Sequence, residues 1–299
     1  MISIAALWIP FTLLAAAGQV ARNAMQRELT AKLGTLGATH VRFLFGLPFS
    51  AIFLGIILAA TGDRLSWPDT PFWPWLVTGG MAQIVATALM LAAMNDRSFV
   101  VTTAYLKTEA IQAAVFGFVF LADRLTLLKV IAIIVATIGV VVTAIRPGAE
   151  KSFGNLRPTL LGLLAASFFA LSAVGYRGAI LNVENTTFVT AASVTLVATL
   201  LMQTIVLSLW LMLRNPGTMS AIFRAWKPSM FAGFMGAFSS LFWFLAFALT
   251  PAANVRTLAL VEVLFAQVAA STSMKQRISP REIIGIALIL VGVAMLVAG

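Results

Sequence analysis

Two glutamates, Glu109 and Glu262, lie near the middle of long apolar stretches of this 299-residue chain. An ionisable side chain at that position could exchange a proton or bind an ammonium group of a solute. A charge at the centre of a bilayer costs about 3 kcal/mol on insertion scales, so it must face a cavity, a partner or an interface. A structural ion pair with a neighbouring Arg or Lys would also satisfy that requirement. The sequence leaves both roles open for the two glutamates.

The residues around Glu109 share one face of a predicted helix. Tyr105, Glu109 and Gln112 are at positions i−4, i and i+3, which lie on the same side. Lys107 is two residues from Glu109, about 200° around the helix, so it must find an acceptor on another helix or extend to the interface. We expect a structural partner for Lys107 more than a solute contact. Seven residues are candidates for solute binding or coupling: Glu109, Glu262, Tyr105, Lys107, Gln19, Gln83 and Trp243.

Other polar and aromatic side chains are also predicted to lie deep in the apolar stretches. Each glutamine among them could contact a solute or make an interhelical hydrogen bond, and the second role is the more common. Trp243 could stack on a flat apolar ligand. Arg22 and Arg177 could bind a carboxylate with two hydrogen bonds, or extend from span ends to the interface. The glutamines are Gln19, Gln83, Gln203 and Gln267.

The composition excludes several kinds of site. The chain has no cysteine and a single histidine, His40, so it offers no thiolate nucleophile, disulfide or His-pair metal site. His40 is predicted to lie near the membrane boundary. There is no nucleotide-binding GxxxxGK[ST] pattern, and the four aspartates stand apart in predicted loops. We therefore expect no catalytic residue, no metal and no cofactor; an intramembrane enzyme is the alternative of a different class.

The elements that must position these residues are membrane-spanning helices. Residues of the set AVILMFWYC make up 61% of the chain and charged residues only 10%, against about 25% in soluble domains. Apolar windows of about 20 residues, the length that crosses a bilayer, recur throughout. The sequence predicts an all-α polytopic membrane protein with ten spans, at 3–23, 35–60, 72–94, 98–122, 127–145, 158–180, 187–212, 228–249, 254–273 and 281–298.

The basic residues predict the orientation of these spans. Connections after odd-numbered spans carry 13 Lys or Arg and those after even-numbered spans carry three, Arg64, Arg124 and Lys129. The positive-inside rule places the first set in the cytoplasm, so both termini are predicted to lie outside. The net charge of +10 then reflects topology, and we expect a small-molecule solute and lipid as partners, a monomer, and no nucleic acid.

The two halves of the chain are related by a shift of 153 residues, which pairs Glu109 with Glu262, Arg124 with Arg277 and Gly139 with Gly292. Five helices in each half is an odd number, so the halves must cross the membrane in opposite senses. Inverted repeats of this kind are typical of transporters, with a solute site near the midplane. The predicted organisation is a first repeat at 1–147, a linker at 148–157 and a second repeat at 158–299, around a central cavity.

The repeat, the matched glutamates and the stretch at 122–126 (ADRLT), partly repeated at 276–280 (QRISP), resemble the drug/metabolite transporter superfamily. Within it the chain looks most like the ten-helix EamA-type exporters, and among those like the branch that exports aromatic amino acids. The resemblance implies a secondary transporter in the inner membrane of a bacterial-type cell, which exports aromatic and other neutral amino acids and related metabolites by alternating access. A proton-coupled exporter of drugs or toxic organic cations is the alternative.

Overall fold

The computed structural model describes residues 4–65, 68–95, 105–144, 156–264 and 280–299, which are helical apart from short connections. Two 3₁₀ turns, Ile4–Leu7 and Ala259–Val261, accompany the α-helices. The helices are α1 (Trp8–Leu44), α2 (Gly46–Thr61), α3 (Phe72–Asn95), α4 (Glu109–Leu121), α5 (Leu127–Ala144), α6 (Leu156–Leu181), α7 (Phe188–Arg214), α8 (Pro216–Arg224), α9 (Trp226–Leu249), α10 (Ala252–Leu258) and α11 (Pro280–Ala298).

Several helices have the length and composition of membrane spans. Within the described ranges, six are long and apolar enough to cross a bilayer, and two shorter apolar helices cover Glu109–Leu121 and Leu127–Thr143. The all-helical membrane class is confirmed. The count of ten stays a prediction, because the spans predicted at 98–122 and 254–273 lie partly outside the described residues. The six are Ile4–Arg22, Leu29–Thr61, Thr159–Leu181, Phe188–Arg214, Trp226–Leu249 and Pro280–Ala298.

The helices form two compact units, and each unit takes segments from both halves of the chain. Unit 1 comprises Met1–Met81 and Gly175–Leu249, and unit 2 comprises Ala82–Val174 and Thr250–Gly299. The unit boundaries fall inside α3 and α6. The compact units therefore do not coincide with the sequence halves predicted at 1–147 and 158–299.

In α1, helical backbone continues through the connection predicted between the first two spans. Residues 23–33 (NAMQRELTAKL) are mostly strong helix formers, so nothing in them ends the helix. The break comes at Gly34, whose φ of 68° and ψ of 175° are accessible to glycine and costly for other residues. The two arms of α1 fold back on each other there. Arg22 and Arg42 approach the same point on α9, although 20 residues of straight helix would separate them by about 30 Å.

Helix α8 was not predicted, because the Asn-Pro-Gly sequence at 215–217 was interpreted as a turn. Pro216 occupies the first helical position, where its missing N–H costs no hydrogen bond. Met219 and Ile222, three residues apart, are buried and pack with Leu29 and Leu33 of α1. The other side of α8 is exposed, so it is an amphipathic helix that covers the bend of α1.

The start of α7 is held by the loop that follows α2. The side chain of Thr187 caps α7 by accepting a hydrogen bond from the backbone N–H of Thr190. Asp63 in turn accepts from the Thr187 backbone N–H at 3.0 Å and from its hydroxyl at 2.7 Å. Hydrogen bonds from Thr190 and Thr187 lower the pKa of Asp63, so it stays ionised and bonded down to more acidic pH than an isolated aspartate. These hydrogen bonds between Asp63 and Thr187 join two loops on the predicted outer side of unit 1.

In unit 2, α5 and α11 pack backbone against backbone. A Cβ atom on Gly139 would lie 2.7 Å from the carbonyl oxygen of Gly285, and one on Gly292 would lie 2.6 Å from the amide nitrogen of Ala136. Glycine at these positions allows close helix approach. The two helices that carry Gly139 and Gly292, the glycines paired by the 153-residue shift, therefore lie against each other. Ile289 and Leu260 belong to a buried apolar cluster at this contact.

Candidate functional site

Two ion pairs in unit 2 join the N-terminal end of α4 to α10 and to Glu262, which follows the 3₁₀ turn after α10. Arg256 Nε lies 2.8 Å from Glu109 Oε1, and Lys107 Nζ contacts Glu262 Oε1. The four side chains are between 14% and 18% exposed. Each glutamate therefore pairs with a cation from the other segment. Helical spacing predicted partners on other helices for Lys107, and the structure identifies its partner.

Local geometry explains this arrangement of charges. Lys107 and Thr108 form a turn before α4, and Glu109 is the first residue of the helix. An acidic residue in the first turn is stabilised by the helix dipole. Arg256 lies on α10, and Glu262 follows the 3₁₀ turn, so the tighter winding at Ala259–Val261 sets the direction of Glu262 relative to Arg256.

The polar groups on the α4 side bond to α6. The Thr159 hydroxyl donates to the phenol oxygen of Tyr105 at 3.2 Å, and the Ser167 hydroxyl donates to Gln112 Oε1. Gln112 Nε2 in turn donates to the Thr108 hydroxyl at 3.0 Å. The three side chains predicted to share one helix face therefore have different partners. Tyr105 and Gln112 form hydrogen bonds with α6, and Glu109 forms an ion pair with α10.

The remaining sequence candidates are distributed over both units. Gln83 is half-buried on α3 in unit 2, and Gln19 is half-buried on α1 in unit 1. Trp243 in unit 1 is 5% exposed, and its ring stacks on Phe247 with centroids 6.3 Å apart. One face of the indole is therefore already occupied by an aromatic side chain. Gln267 lies outside the described residues.

Unit 1 contains polar contacts that sequence reasoning did not assign. Gln203 Nε2 donates to the Tyr176 phenol oxygen at 3.1 Å and to the Gly80 carbonyl at 3.2 Å. His40, predicted near the boundary, is fully buried, and its Nε2 lies 3.0 Å from the Ser208 hydroxyl. The partners of these side chains are far away in the sequence, so no local pattern could have revealed them.

Arg22 and Arg177, the two arginines singled out in the sequence, make different contacts within unit 1. Arg177 Nη1 donates to the Phe247 carbonyl at 2.7 Å. Arg22 instead shares its surroundings with Arg42, which comes from the other arm of α1, and both pack against Gly236 of α9. The candidate site as a whole consists of fixed charges and hydrogen-bonding groups, and no group of three or more His, Cys, Asp or Glu side chains that could hold a metal occurs among the described residues.

Comparison with known proteins connects this architecture to one family. The EamA-like transporter family matches residues 6–145 and again residues 156–298, so the chain carries two EamA repeats. No curated protein matches the chain. Among solved structures, one crystal structure aligns with 97% of this chain and 95% of its own at 16% identity and a TM-score of 0.69, which shows a shared fold. With nearly its whole length covered by the two matches, the chain belongs to the EamA-like transporter family.

Proposed function

We propose that this membrane transporter exports aromatic and other neutral amino acids and related amphipathic metabolites by alternating access. We place it in the inner membrane of a bacterial-type cell. In this proposal the four charges of unit 2 are the coupling site. Glu109 and Glu262 bind the ammonium group of the solute in exchange for Arg256 and Lys107.

The single observation that carries the proposal is the pairing itself. Two acids and two cations, each less than one-fifth exposed, lie between apolar helices, where an unpaired charge would cost several kcal/mol. A solute ammonium group has the charge and hydrogen-bonding capacity of the Lys107 ammonium, so it can replace that cation without leaving the glutamate unpaired. The exchange links occupation by solute to a rearrangement of α4 and α10.

The first test is flux into proteoliposomes that contain the purified chain. We expect saturable uptake of radiolabelled aromatic amino acids that unlabelled substrate competes away. Glu109→Gln and Glu262→Gln should each lower the rate at least about tenfold, because removing one partner of a buried charge pair leaves the other unpaired. Glu184→Gln, which changes an exposed acid in a loop of unit 1, is the matched control and should transport normally.

The outcomes of this experiment separate the alternatives. Absence of flux over a broad panel of amino acids, drugs and organic cations contradicts the proposal. Flux of organic cations that exceeds flux of amino acids and needs an imposed pH gradient favours the proton-coupled drug exporter. Glutamine variants that aggregate or lose a single size-exclusion peak indicate a packing role for the ion pairs.

A further inference from the structure

Helix α8 lies at the membrane boundary of unit 1. It connects α7 to α9, which are both long and apolar enough to cross a bilayer, and its nine residues extend only about 14 Å. Met219 and Ile222 pack with α1 residues that precede the break at Gly34, and Thr218 lies against Gly37 beyond it. The buried side of α8 is therefore fixed along the bend of α1, and its other side faces outwards.

The outward side of α8 and the adjoining helix ends combine cations with aromatic rings. The guanidinium carbon of Arg214 lies 5.5 Å from the centre of the Trp210 ring, one turn earlier on α7, and Lys227 Nζ lies 5.8 Å from the Trp226 ring at the start of α9. Contact with an aromatic face orients a cation without neutralising its charge. We call six exposed residues the basic–aromatic surface: Arg214, Arg224, Lys227, Trp210, Phe223 and Trp226.

This surface has more positive charge than the nearby acids can neutralise. Unit 1 contains four acids: Glu28, Asp63, Asp69 and Glu184. The last three are in the two loops that meet at the start of α7, where Asp63 bonds to Thr187. Because the 27 residues of α7 extend about 40 Å, Arg214 lies several Debye lengths from those loops. Of the acids in the unit, only Glu28 on α1 remains for the three cations.

The side chains around the three cations indicate that the occupant is amphipathic. The surface adjoins large exposed apolar side chains at the same ends of the two spans, Leu209 and Leu213 on α7 and Phe231 on α9. An anionic phospholipid has phosphate oxygens, to which arginine donates directional hydrogen bonds, and acyl chains, on which exposed Trp and Phe side chains pack. An acidic protein segment would satisfy the cations and leave the apolar side chains uncovered.

We propose that the basic–aromatic surface binds the headgroups of anionic phospholipids in the leaflet on the predicted cytoplasmic side. The alternative for these cations is that they set the orientation of the chain during insertion and bind no particular lipid afterwards. The inference requires no solute and no flux, so it is independent of the proposed export function.

The test measures lipid binding to the purified full-length chain in an uncharged detergent by native mass spectrometry. The unmodified protein should bind dioleoylphosphatidylglycerol with a Kd at least about tenfold below that of dioleoylphosphatidylcholine. Each Lys or Arg beside an anionic lipid contributes about fivefold to affinity, so Arg214→Gln, Arg224→Gln and Lys227→Gln should each raise the Kd for phosphatidylglycerol by about that factor. The triple variant should bind the two lipids equally, with the Kd for phosphatidylcholine unchanged.

Two matched controls separate this surface from general effects of charge and apolarity. Arg64→Gln removes an exposed arginine in the loop after α2, at the opposite end of unit 1, and should change neither Kd. Trp226→Leu removes the ring beside Lys227 and should raise the Kd for phosphatidylglycerol about two- to fivefold. Phe118→Leu, which changes a ring of α4 that is 66% exposed, should not.

Thermal unfolding of the same samples gives a second readout. Phosphatidylglycerol should raise Tm of the unmodified protein more than phosphatidylcholine does, and the triple variant should lose this difference. The three exchanged residues are exposed, so the triple variant should retain a single size-exclusion peak.

Two results would overturn the proposal. Equal Kd values for the two lipids in the unmodified protein would leave the cations to an acidic protein partner or to orientation alone. A loss of phosphatidylglycerol binding in Arg64→Gln as large as in Arg214→Gln would show attraction to the net charge of +10 rather than a site. Loss of the lipid preference confined to variants of the basic–aromatic surface supports it, whether or not the protein transports any solute.

Discussion

Lys107 and Glu262 are 155 residues apart in the chain and in direct contact in unit 2. Helical spacing excluded Glu109 as the same-face partner of Lys107, so a partner on another helix was predictable and its identity was not. The meeting of Arg22 and Arg42 was harder to predict, because it depends on the reversal at Gly34 and on a glycine of α9. One signal was present: the first 62 residues contain one acid and four basic residues.

Exchanging the charges of one pair separates its packing role from its transport role. Lys107→Glu and Glu262→Lys each bury two like charges, and either single variant should lower Tm and abolish flux. The double variant restores an ion pair, so we expect its Tm to recover. Flux should stay at least about tenfold low, because the acid then lies in the turn before α4, two residues from Glu109, and no longer follows the 3₁₀ turn after α10.

Thermal unfolding and flux measured on the same preparations decide this point. Full recovery of both quantities in the double variant would show that the pair only fastens α4 to α10. The matched control is Glu282→Gln, which removes an acid of α11 whose residue is half-buried and lies outside the ion-paired cluster.

At the scale of helices, strong periodicity and turn residues predicted the existence of most elements. Spans predicted at 127–145, 187–212 and 228–249 agree with α5, α7 and α9 within a few residues. The connection inside α1 and helix α8 were missed for opposite reasons: helix-forming residues filled the first, and a turn-like Asn-Pro-Gly began the second. Composition does not distinguish a helical connection from a span end when no breaker is present.

The contact between α5 and α11 should be sensitive to a single methyl group. Gly139→Ala places a Cβ 2.7 Å from both the Gly285 carbonyl oxygen and the Ile289 amide nitrogen, so one backbone must shift. Overpacking of this kind costs about 1–3 kcal/mol, and we expect a lower Tm and faster proteolysis of unit 2. Gly55→Ala, which meets open space, should retain the Tm of the parent. An unchanged Tm in Gly139→Ala would mean that the two helices separate easily.

At the scale of the whole chain, composition alone predicted the membrane class. The repeat, the matched glutamates and the stretch at 122–126 together gave the resemblance to the family. The sequence repeat did not predict that each compact unit would combine segments from both halves of the chain. Unit 1 joins Met1–Met81 to Gly175–Leu249, and unit 2 joins Ala82–Val174 to Thr250–Gly299. A similarity between two stretches shows that they fold alike, and it carries no information about which helices pack together.

The orientation of the chain can be tested with introduced cysteines, because the natural sequence has none. Gly217 at the start of α8 is exposed with nothing within 4 Å of a Cβ, and Asp69 is exposed in the loop before α3. The charge asymmetry predicts that an impermeant maleimide added to intact cells labels Asp69→Cys, and that Gly217→Cys reacts only after the cells are opened. Reversed labelling would show that the termini face the cytoplasm.

The discontinuity of the two units has a consequence for synthesis of the protein. Arg42 leaves the ribosome about 190 residues before Gly236, which at about 5–20 residues per second is a delay of roughly 10–40 s. During that time the hairpin of α1 carries its two arginines without the helix that later packs against them. Unit 2 is completed later still, by the last 50 residues. A nascent chain that stops at residue 147 therefore contains no complete unit, and until its final helices emerge it depends on the insertion machinery or on lipid to shelter its polar groups.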